Sequence, residues 1–232
     1  NAAEIENALL YTLESGVHTG DFGDKKIPAV NTTQFAEAII SNFGKTPAQG
    51  GYSNYFVIDE DYAVHIPENL DLAGVAPLLC AGITLYSPIK HWKTGPGKKV
   101  GVLGLGGLGH MGVKIAAAMG ADVTVFSHSP NKKDDALRMG AKEFVVVKNK
   151  EDLKSESKKY DLILNTVSAN LDLEWYVECL KLDGTIVLMG LPGEPYSIGT
   201  GSLIAQRRSV SGSMIGGIPE LQEMLNFCGK HS

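Results

Sequence analysis

The sequence predicts an α/β fold built on a doubly wound, six-stranded parallel sheet, and three observations carry the prediction. The apolar strand ending at Leu103 runs directly into Gly104-Leu105-Gly106-Gly107-Leu108-Gly109 and then into a helix, the pattern of a dinucleotide-binding turn. From about residue 99 to 212 apolar strands alternate with helical segments, which calls for parallel pairing with helices on both faces. The stops between them are short and fall at Gly120, Gly140, Gly184 and Gly190-Leu191-Pro192-Gly193. Together they define a Rossmann-type sheet.

The elements follow in order. Ile5, Leu9 and Leu13 share one helical face, and Phe35, Ile39 and Phe43 share another, with Asn31 and Gln34 spaced as a capping pair before the second helix. Tyr52 to Ile58 and Tyr62 to Ile66 read as two short strands around the acidic turn Asp59-Glu60-Asp61, ended by Pro67. Strands of the sheet are expected at Val100–Leu103, Asp122–Phe126, Phe144–Val147, Asp161–Leu164, Thr185–Met189 and Ser209–Ser211. Helices are expected at Val113–Met119, Lys132–Met139 and Pro219–Cys228.

Composition bounds the function. At 232 residues and 44% hydrophobic content the chain can bury a core. Its 21 basic and 26 acidic residues are mixed along the sequence, with a net charge of -5 and no basic stripe, so nucleic acid is not the expected partner. No apolar run reaches membrane-spanning length and the first residues show no signal peptide, so a cytoplasmic protein is expected. Cys80, Cys179 and Cys228 lie far apart, which argues against a disulfide framework and for free thiols. The six histidines show no metal-ligand spacing.

The glycine turn assigns chemistry residue by residue. Gly104 permits the tight turn, Gly106 lets backbone amides approach a pyrophosphate, and Gly109 lets the helix pack closely on the sheet; Leu105, Gly107 and Leu108 complete the turn. The helix N-terminus then stabilises the phosphates. An ordinary strand-to-helix turn is the alternative. Cofactor choice is read at the end of the second strand, where an acid would bond the 2'-hydroxyl of NAD. Ser127-His128-Ser129-Pro130-Asn131-Lys132 offers hydroxyls and a cation instead, which suits the 2'-phosphate of NADP. The competing explanation is a polar loop with a helix cap at Ser129 and an exposed His128. Thr166 and Val167, Gly190 and Leu191, and Ser213 to Ile215 follow strands four, five and six, at the carboxyl edge where such sheets bind ligands. Strand-end packing is the other reading of Val167 and Leu191.

From about Gly50 the chain resembles the cinnamyl-alcohol-dehydrogenase-like branch of the zinc-dependent medium-chain alcohol dehydrogenases. The carrying residues are Gly50-Gly51-Tyr52-Ser53-Asn54-Tyr55, Ile66-Pro67-Glu68-Asn69-Leu70, Ala76-Pro77-Leu78-Leu79-Cys80-Ala81-Gly82-Ile83-Thr84 and Gly95-Pro96-Gly97 running into the glycine turn. The resemblance implies NADP(H) held by Ser127 and Lys132, an alcohol or aldehyde substrate, and a nicotinamide lined by Thr84, Thr166, Val167, Gly190, Leu191, Ser213 and Ile215. It also implies a homodimer through the sheet edge near Val210 to Ile215. Cys80 matches a family zinc ligand, but no Gly-His-Glu, Cys-His pair or cysteine cluster accompanies it, so zinc is not expected to be retained; a plain buried thiol and a helix-surface threonine are the competing readings of Cys80 and Thr84.

Residues 1–47 instead resemble the C-terminal tail of NADP-dependent isocitrate dehydrogenases, through Thr12-Leu13-Glu14-Ser15-Gly16, Thr19-Gly20-Asp21 and Asn31-Thr32-Thr33-Gln34-Phe35. These resemblances divide the chain into a helical segment 1–47, a strand remnant of the catalytic domain 48–67 and an NADP-binding domain 68–232, a chimera with its seam near Thr46 to Gly50. The flanks of the family's catalytic domain are missing from this reading. The expectation is therefore a zinc-type, NADP-dependent dehydrogenase represented by its cofactor half and inactive alone. Its alternatives are a noncatalytic NADP-binding module or chimeric gene product and, more weakly, an isocitrate dehydrogenase fragment. Tyr86 and Lys90 have the spacing of a short-chain dehydrogenase pair but precede the glycine turn and enclose Pro88, which rejects that class.

Overall fold

The computed structural model describes residues 2–19, 26, 28–42 and 58–231. The chain divides into two compact units, residues 1–63 and 64–232. In the first, helices α1 (Ala2–Glu14) and α2 (Thr32–Asn42) pack on each other. The expected cap forms: Gln34 N donates to Asn31 Oδ1 at 2.9 Å and Asn31 N to Gln34 Oε1 at 3.2 Å. Asn42 Nδ2 donates to Thr12 Oγ1 at 3.0 Å and ties the helices together.

The strand expected at Tyr52 to Ile58 and the seam near Thr46 to Gly50 lie outside the described residues, apart from Ile58. The strand expected at Tyr62 to Ile66 does not form. Asp59 accepts a bond from Asp61 N at 3.0 Å and starts the 3-10 turn Glu60–Tyr62, after which residues 63–66 have no ladder partner among the described residues. Alternation alone cannot make a strand when no neighbour supplies the hydrogen bonds.

The second unit begins with the short helix α3 (Leu72–Val75) and a 3-10 turn, then α4 (Ala81–His91). There follow β1 (Lys99–Leu103), α5 (Gly107–Ala118), β2 (Asp122–Ser127), α6 (Lys133–Arg138), β3 (Glu143–Val146), β4 (Tyr160–Asn165), α7 (Leu173–Val177), β5 (Leu180–Leu188), α8 (Thr200–Ile204), β6 (Ser209–Gly212) and α9 (Ile218–His231). All six strands pair in parallel, as the sequence predicts, and their order is β3-β2-β1-β4-β5-β6. β5 starts at Leu180 because a register shift lets that residue pair with Tyr160 across Asp183 and Gly184, ahead of the expected Thr185 start.

Each face of the sheet has its own core. Val100, Val102, Val123 and Val125 pack with Ile83, Leu85, Val113 and Ile115 from α4 and α5. Leu103, Phe126, Ile163 and Ile186 pack with Leu173 and Val177 of α7 on the other face. The central strands β1, β2 and β4 are therefore buried on both sides, which explains their unbroken apolar runs. Gly101 is required by this packing, since a Cβ there would stand 2.8 Å from the Phe126 ring. Among the described residues no single helix is long and apolar enough to cross a membrane.

Two buried charges hold irregular backbone. Arg208 donates to Leu180 O, Ser202 O and Glu178 O at 2.8, 2.9 and 3.1 Å, joining α8 to the start of β5. Glu156 accepts from the buried Tyr160 hydroxyl at 2.5 Å, from Ser155 at 3.0 Å and from Lys159 at 3.2 Å. Burial pushes the Glu156 carboxyl up, but the three donors outweigh it and hold the carboxyl below its usual range. Its stabilisation is therefore present above the unfolded value of about 4.3 and is lost as pH falls through the lower folded value. Glu156→Gln is expected to cost about 1–3 kcal/mol at pH 7 in urea unfolding, with the gap to wild type closing as the pH falls from about 5 toward 3.

Candidate functional site

The glycine turn is set by backbone crowding. Gly104 has φ +84°, the left-handed region, and a Cβ there would meet Val167 Cγ2 at 2.9 Å. At Gly109 a Cβ would lie 2.1 Å from Gly104 O, so only glycine lets the first turn of α5 come down onto the end of β1. Gly106 and Gly107 differ, since a Cβ at either would meet nothing within 4 Å. The first intrahelical bond runs from His110 N to Gly106 O, which leaves the amides of Gly107, Leu108 and Gly109 as free helix-end donors.

Neighbouring strand ends are stapled to one another. Thr166 donates to Leu103 O through its amide at 3.3 Å and its hydroxyl at 2.6 Å, fixing the end of β4 beside the end of β1. Asn165, fully buried, accepts from Val167 N at 3.1 Å and donates to the Tyr196 hydroxyl at 3.1 Å. Met189 N and Gly190 N both donate to Asn165 O, and a Cβ on Gly190 would lie 2.1 Å from Val167 O. Ser213 N donates to Leu188 O at 3.1 Å. Asn165 and Tyr196 were not singled out as site residues by sequence reasoning, yet a polar amide closing the apolar run Leu162-Ile163-Leu164 is a readable signal of a strand end that needs capping.

These ends enclose a cleft of about 610 Å³ where the strand order reverses between β1 and β4. Gly104, Leu105 and Gly106 line it, with Thr166 and Val167 packed directly against Gly104. Ser127, His128 and Lys132 line it from the end of β2, and Lys148 from the end of β3. Leu171, Trp175 and Tyr176 add an apolar side with Phe126, whose ring stands edge-on to Tyr176 at 5.8 Å. Burial pushes the Tyr176 phenol up to about 12, so it stays neutral.

The β2 loop is ordered by its own side chains. Ser127 is buried and its Oγ accepts from Ser129 N at 3.1 Å. The Ser129 hydroxyl forms no helix cap; it meets His128 Nδ1 at 3.0 Å. Lys132 Nζ donates to Leu105 O at 2.9 Å, which draws the lysine against the glycine turn with two donors left over.

The remaining sequence-predicted residues lie elsewhere. Gly107, Leu108, Gly109, Ser129, Gly190, Leu191, Ser213 and Ile215 do not line this cleft. Leu191 is 86% exposed, which removes strand-end packing as its role, while Val167 is half-buried. Thr84 is buried in α4 and donates to Cys80 O at 2.8 Å, so it is not a helix-surface residue. Cys80 is exposed, contrary to the buried-thiol reading, because its backbone sits at the break between a 3-10 turn and α4. Among the described residues no three His, Cys, Asp or Glu side chains converge to hold a metal ion.

A glycine turn at the switch point of this sheet, with free helix-end amides beside Gly106, is the arrangement of a Rossmann-type domain. Residues 107–230 match the family model described as zinc-binding dehydrogenase. The chain belongs to that family. It is 58% identical over 186 residues to a protein named NADP-dependent alcohol dehydrogenase C 1 of Mycolicibacterium smegmatis, covering 80% of this chain and 53% of the relative. A solved cinnamyl alcohol dehydrogenase from Sorghum bicolor superposes with a TM-score of 0.73 at 43% identity, over 76% of this chain and 50% of that one. One from Helicobacter pylori, solved with NADP(H), gives 0.70 at 46% identity, over 78% and 52%. The chain thus spans about half the length of the curated relatives it matches.

The two kinds of glycine separate in a simple experiment. Gly109→Ala is expected to destabilise the fold by more than about 1 kcal/mol, because its neighbour is rigid backbone. Gly106→Ala is expected to leave apo stability within about 0.5 kcal/mol while weakening dinucleotide binding, measured by thermal melts and calorimetry side by side.

Proposed function

We propose that this chain is the NADP(H)-binding part of a zinc-type medium-chain alcohol dehydrogenase or aldehyde reductase, acting on a primary alcohol or aldehyde. The observation that carries the reading is the end of β2. Ser127, His128 and Lys132 face the cleft there, and no carboxylate occupies that strand end. A carboxylate would accept the two ribose hydroxyls of NAD, whereas it would repel a 2'-phosphate. The relatives named as NADP-dependent and the NADP(H) complex support the same choice.

The residues present fit that cofactor. The space beside Gly106 and Gly107 is a cradle that any larger side chain would fill, and the free amides of Gly107 to Gly109 are donors for a pyrophosphate. Thr166 is tied to Leu103 O and Val167 to Asn165, so this side of the cleft is formed before the ligand arrives. Trp175, Tyr176 and Leu171 exclude water from the apolar side, where a flat base would be received. When bound, NADP(H) carries the hydride that the reaction exchanges.

Zinc does not fit in the same way. Cys80 is a single exposed thiol, and a catalytic zinc takes three protein ligands with an open position. The described residues therefore make a nucleotide site without a metal site. We further propose a homodimer formed along β6. Its outer edge has no strand partner among the described residues, and Met214 and Ile215 beyond it are exposed. Free cysteines support a reducing, cytoplasmic setting.

Calorimetry tests the cofactor reading. The chain is expected to bind NADPH at least about tenfold more tightly than NADH, and Ser127→Asp is expected to reverse the order by placing a carboxylate where the 2'-phosphate would sit. Equal affinities in the wild type overturn the reading.

A further inference from the structure

We infer that Lys148 is a specificity-determining residue, a second cation that reads the 2'-phosphate from the end of β3. The inference rests on the NADP reading above and adds to it a residue that the glycine turn and the β2 loop do not supply.

Register brings Lys148 to the right place. Ser127 pairs with Val146 at the end of the β2–β3 ladder, and Val147 N donates to Ser127 O at 2.9 Å in the last bond before the strands part. Lys148 is the next residue, so it leaves the sheet level with the Ser127-His128 turn. It lines the same cleft as Ser127, His128 and Lys132. The two lysines thus approach the buried serine from adjacent strand ends, Lys132 from the turn after β2 and Lys148 from the turn after β3.

The turn that carries Lys148 is held firmly. Asp152 Oδ2 accepts from Lys148 N at 2.7 Å and from Asn149 N at 3.1 Å, while Asn149 Oδ1 accepts from Glu151 N at 3.0 Å. Those bonds close a capping box on the following 3-10 turn. The lysine backbone is therefore fixed before any ligand binds, and only the side chain is left to order.

The charges around it favour an anion. Lys132 already spends one donor on Leu105 O, whereas the Lys148 ammonium makes no ion pair or hydrogen bond among the described residues. Asp152, on its own turn, is a counter-charge that Lys148 feels through space, while its Oδ2 accepts two backbone amides and no bond joins it to the ammonium. Asp172, the one carboxylate that lines the cleft among the described residues, caps α7 by accepting from Glu174 N at 3.1 Å. A dianionic phosphate set between Lys132 and Lys148 completes a charge arrangement that the apo cleft leaves open; a 2'-hydroxyl does not need it.

The test measures binding of 2',5'-ADP and of 5'-AMP, which differ only in the 2'-phosphate, to the full chain and to Lys148→Met, with Lys114→Met as a control that removes an exposed charge outside the cleft. Far-ultraviolet circular dichroism and a thermal melt accompany each variant. Lys148→Met is expected to weaken 2',5'-ADP about five- to tenfold and leave 5'-AMP within twofold, with a shallower salt dependence for 2',5'-ADP, while Lys114→Met changes neither. Equal losses for both ligands overturn the inference, because they make Lys148 a general anion attractor. No change in Lys148→Met, in a chain whose wild type prefers 2',5'-ADP, overturns it and leaves the NADP reading standing. A wild type that binds both ligands equally overturns the two together.

Discussion

The close approach of two backbones, Gly104 and Gly109, is the constraint on which the rest of the site depends. With 2.1 Å between Gly104 O and the place a Cβ would take on Gly109, the first turn of α5 sits directly on the end of β1. That seating leaves three free amides at the helix end next to Gly106, which lines the crevice, the place where the proposed function puts a phosphate. It also forces the end of β4 to conform, since Thr166 and Val167 crowd the same Gly104. Thr166 answers by bonding Leu103 O twice, and Asn165 then carries the arrangement to Tyr196 and to the end of β5. One contact between glycines thus propagates through three strand ends, those of β1, β4 and β5.

Charge acts on a different scale from this packing. The glycine turn decides that a pyrophosphate can be held, but it treats NAD and NADP alike, because both carry that group. In the NADP(H) reading proposed above, discrimination falls to side chains about one strand away, where Ser127 is buried, Lys132 is half-buried and Lys148 is exposed. Exposed charge pairs are worth little individually, so a preference built only on Lys132 would be modest. Two cations around a fixed hydroxyl, each on a turn whose backbone is already tied, lose less entropy on binding than two free lysines would.

The sheet was legible because its information is local. Apolar runs, the glycine punctuation and parallel β–α alternation each lie within a few residues, and the strand order follows from connection rules once six strands are counted. The 62–66 strand failed for the opposite reason, since a ladder needs a partner that period-2 alternation cannot supply. Arg208 and Glu156 were invisible too: each looks like a surface charge until backbone carbonyls from α7 and α8, or a buried tyrosine, are folded against it. At the site the turn and the β2 loop could be read directly, because both are continuous in sequence. Asn165, Tyr196 and Lys148 belong to the cleft only through register, and register is a property of the folded sheet.

Position along the chain also separates holding the cofactor from using it. Every wall of the cleft comes from residues 103–176, one continuous stretch packed around β1, β2 and β4. The binding geometry therefore needs nothing from before β1 except the support of α4. Cys80 and the exposed Leu191, Met214 and Ile215 are of another kind, since their surroundings on the described chain neither bury them nor give them ligands. Leu191 and Ile215 each lie three residues past the paired Leu188 and Gly212, so they leave the sheet side by side at its carboxyl edge. Large exposed apolar side chains grouped at a ligand-binding edge mark a surface meant for cover, and the relatives are about twice as long. Under the function proposed above, a cleft walled by one continuous stretch beside an exposed apolar edge is the division expected of a nucleotide-binding domain that presents its cofactor to groups from outside that stretch.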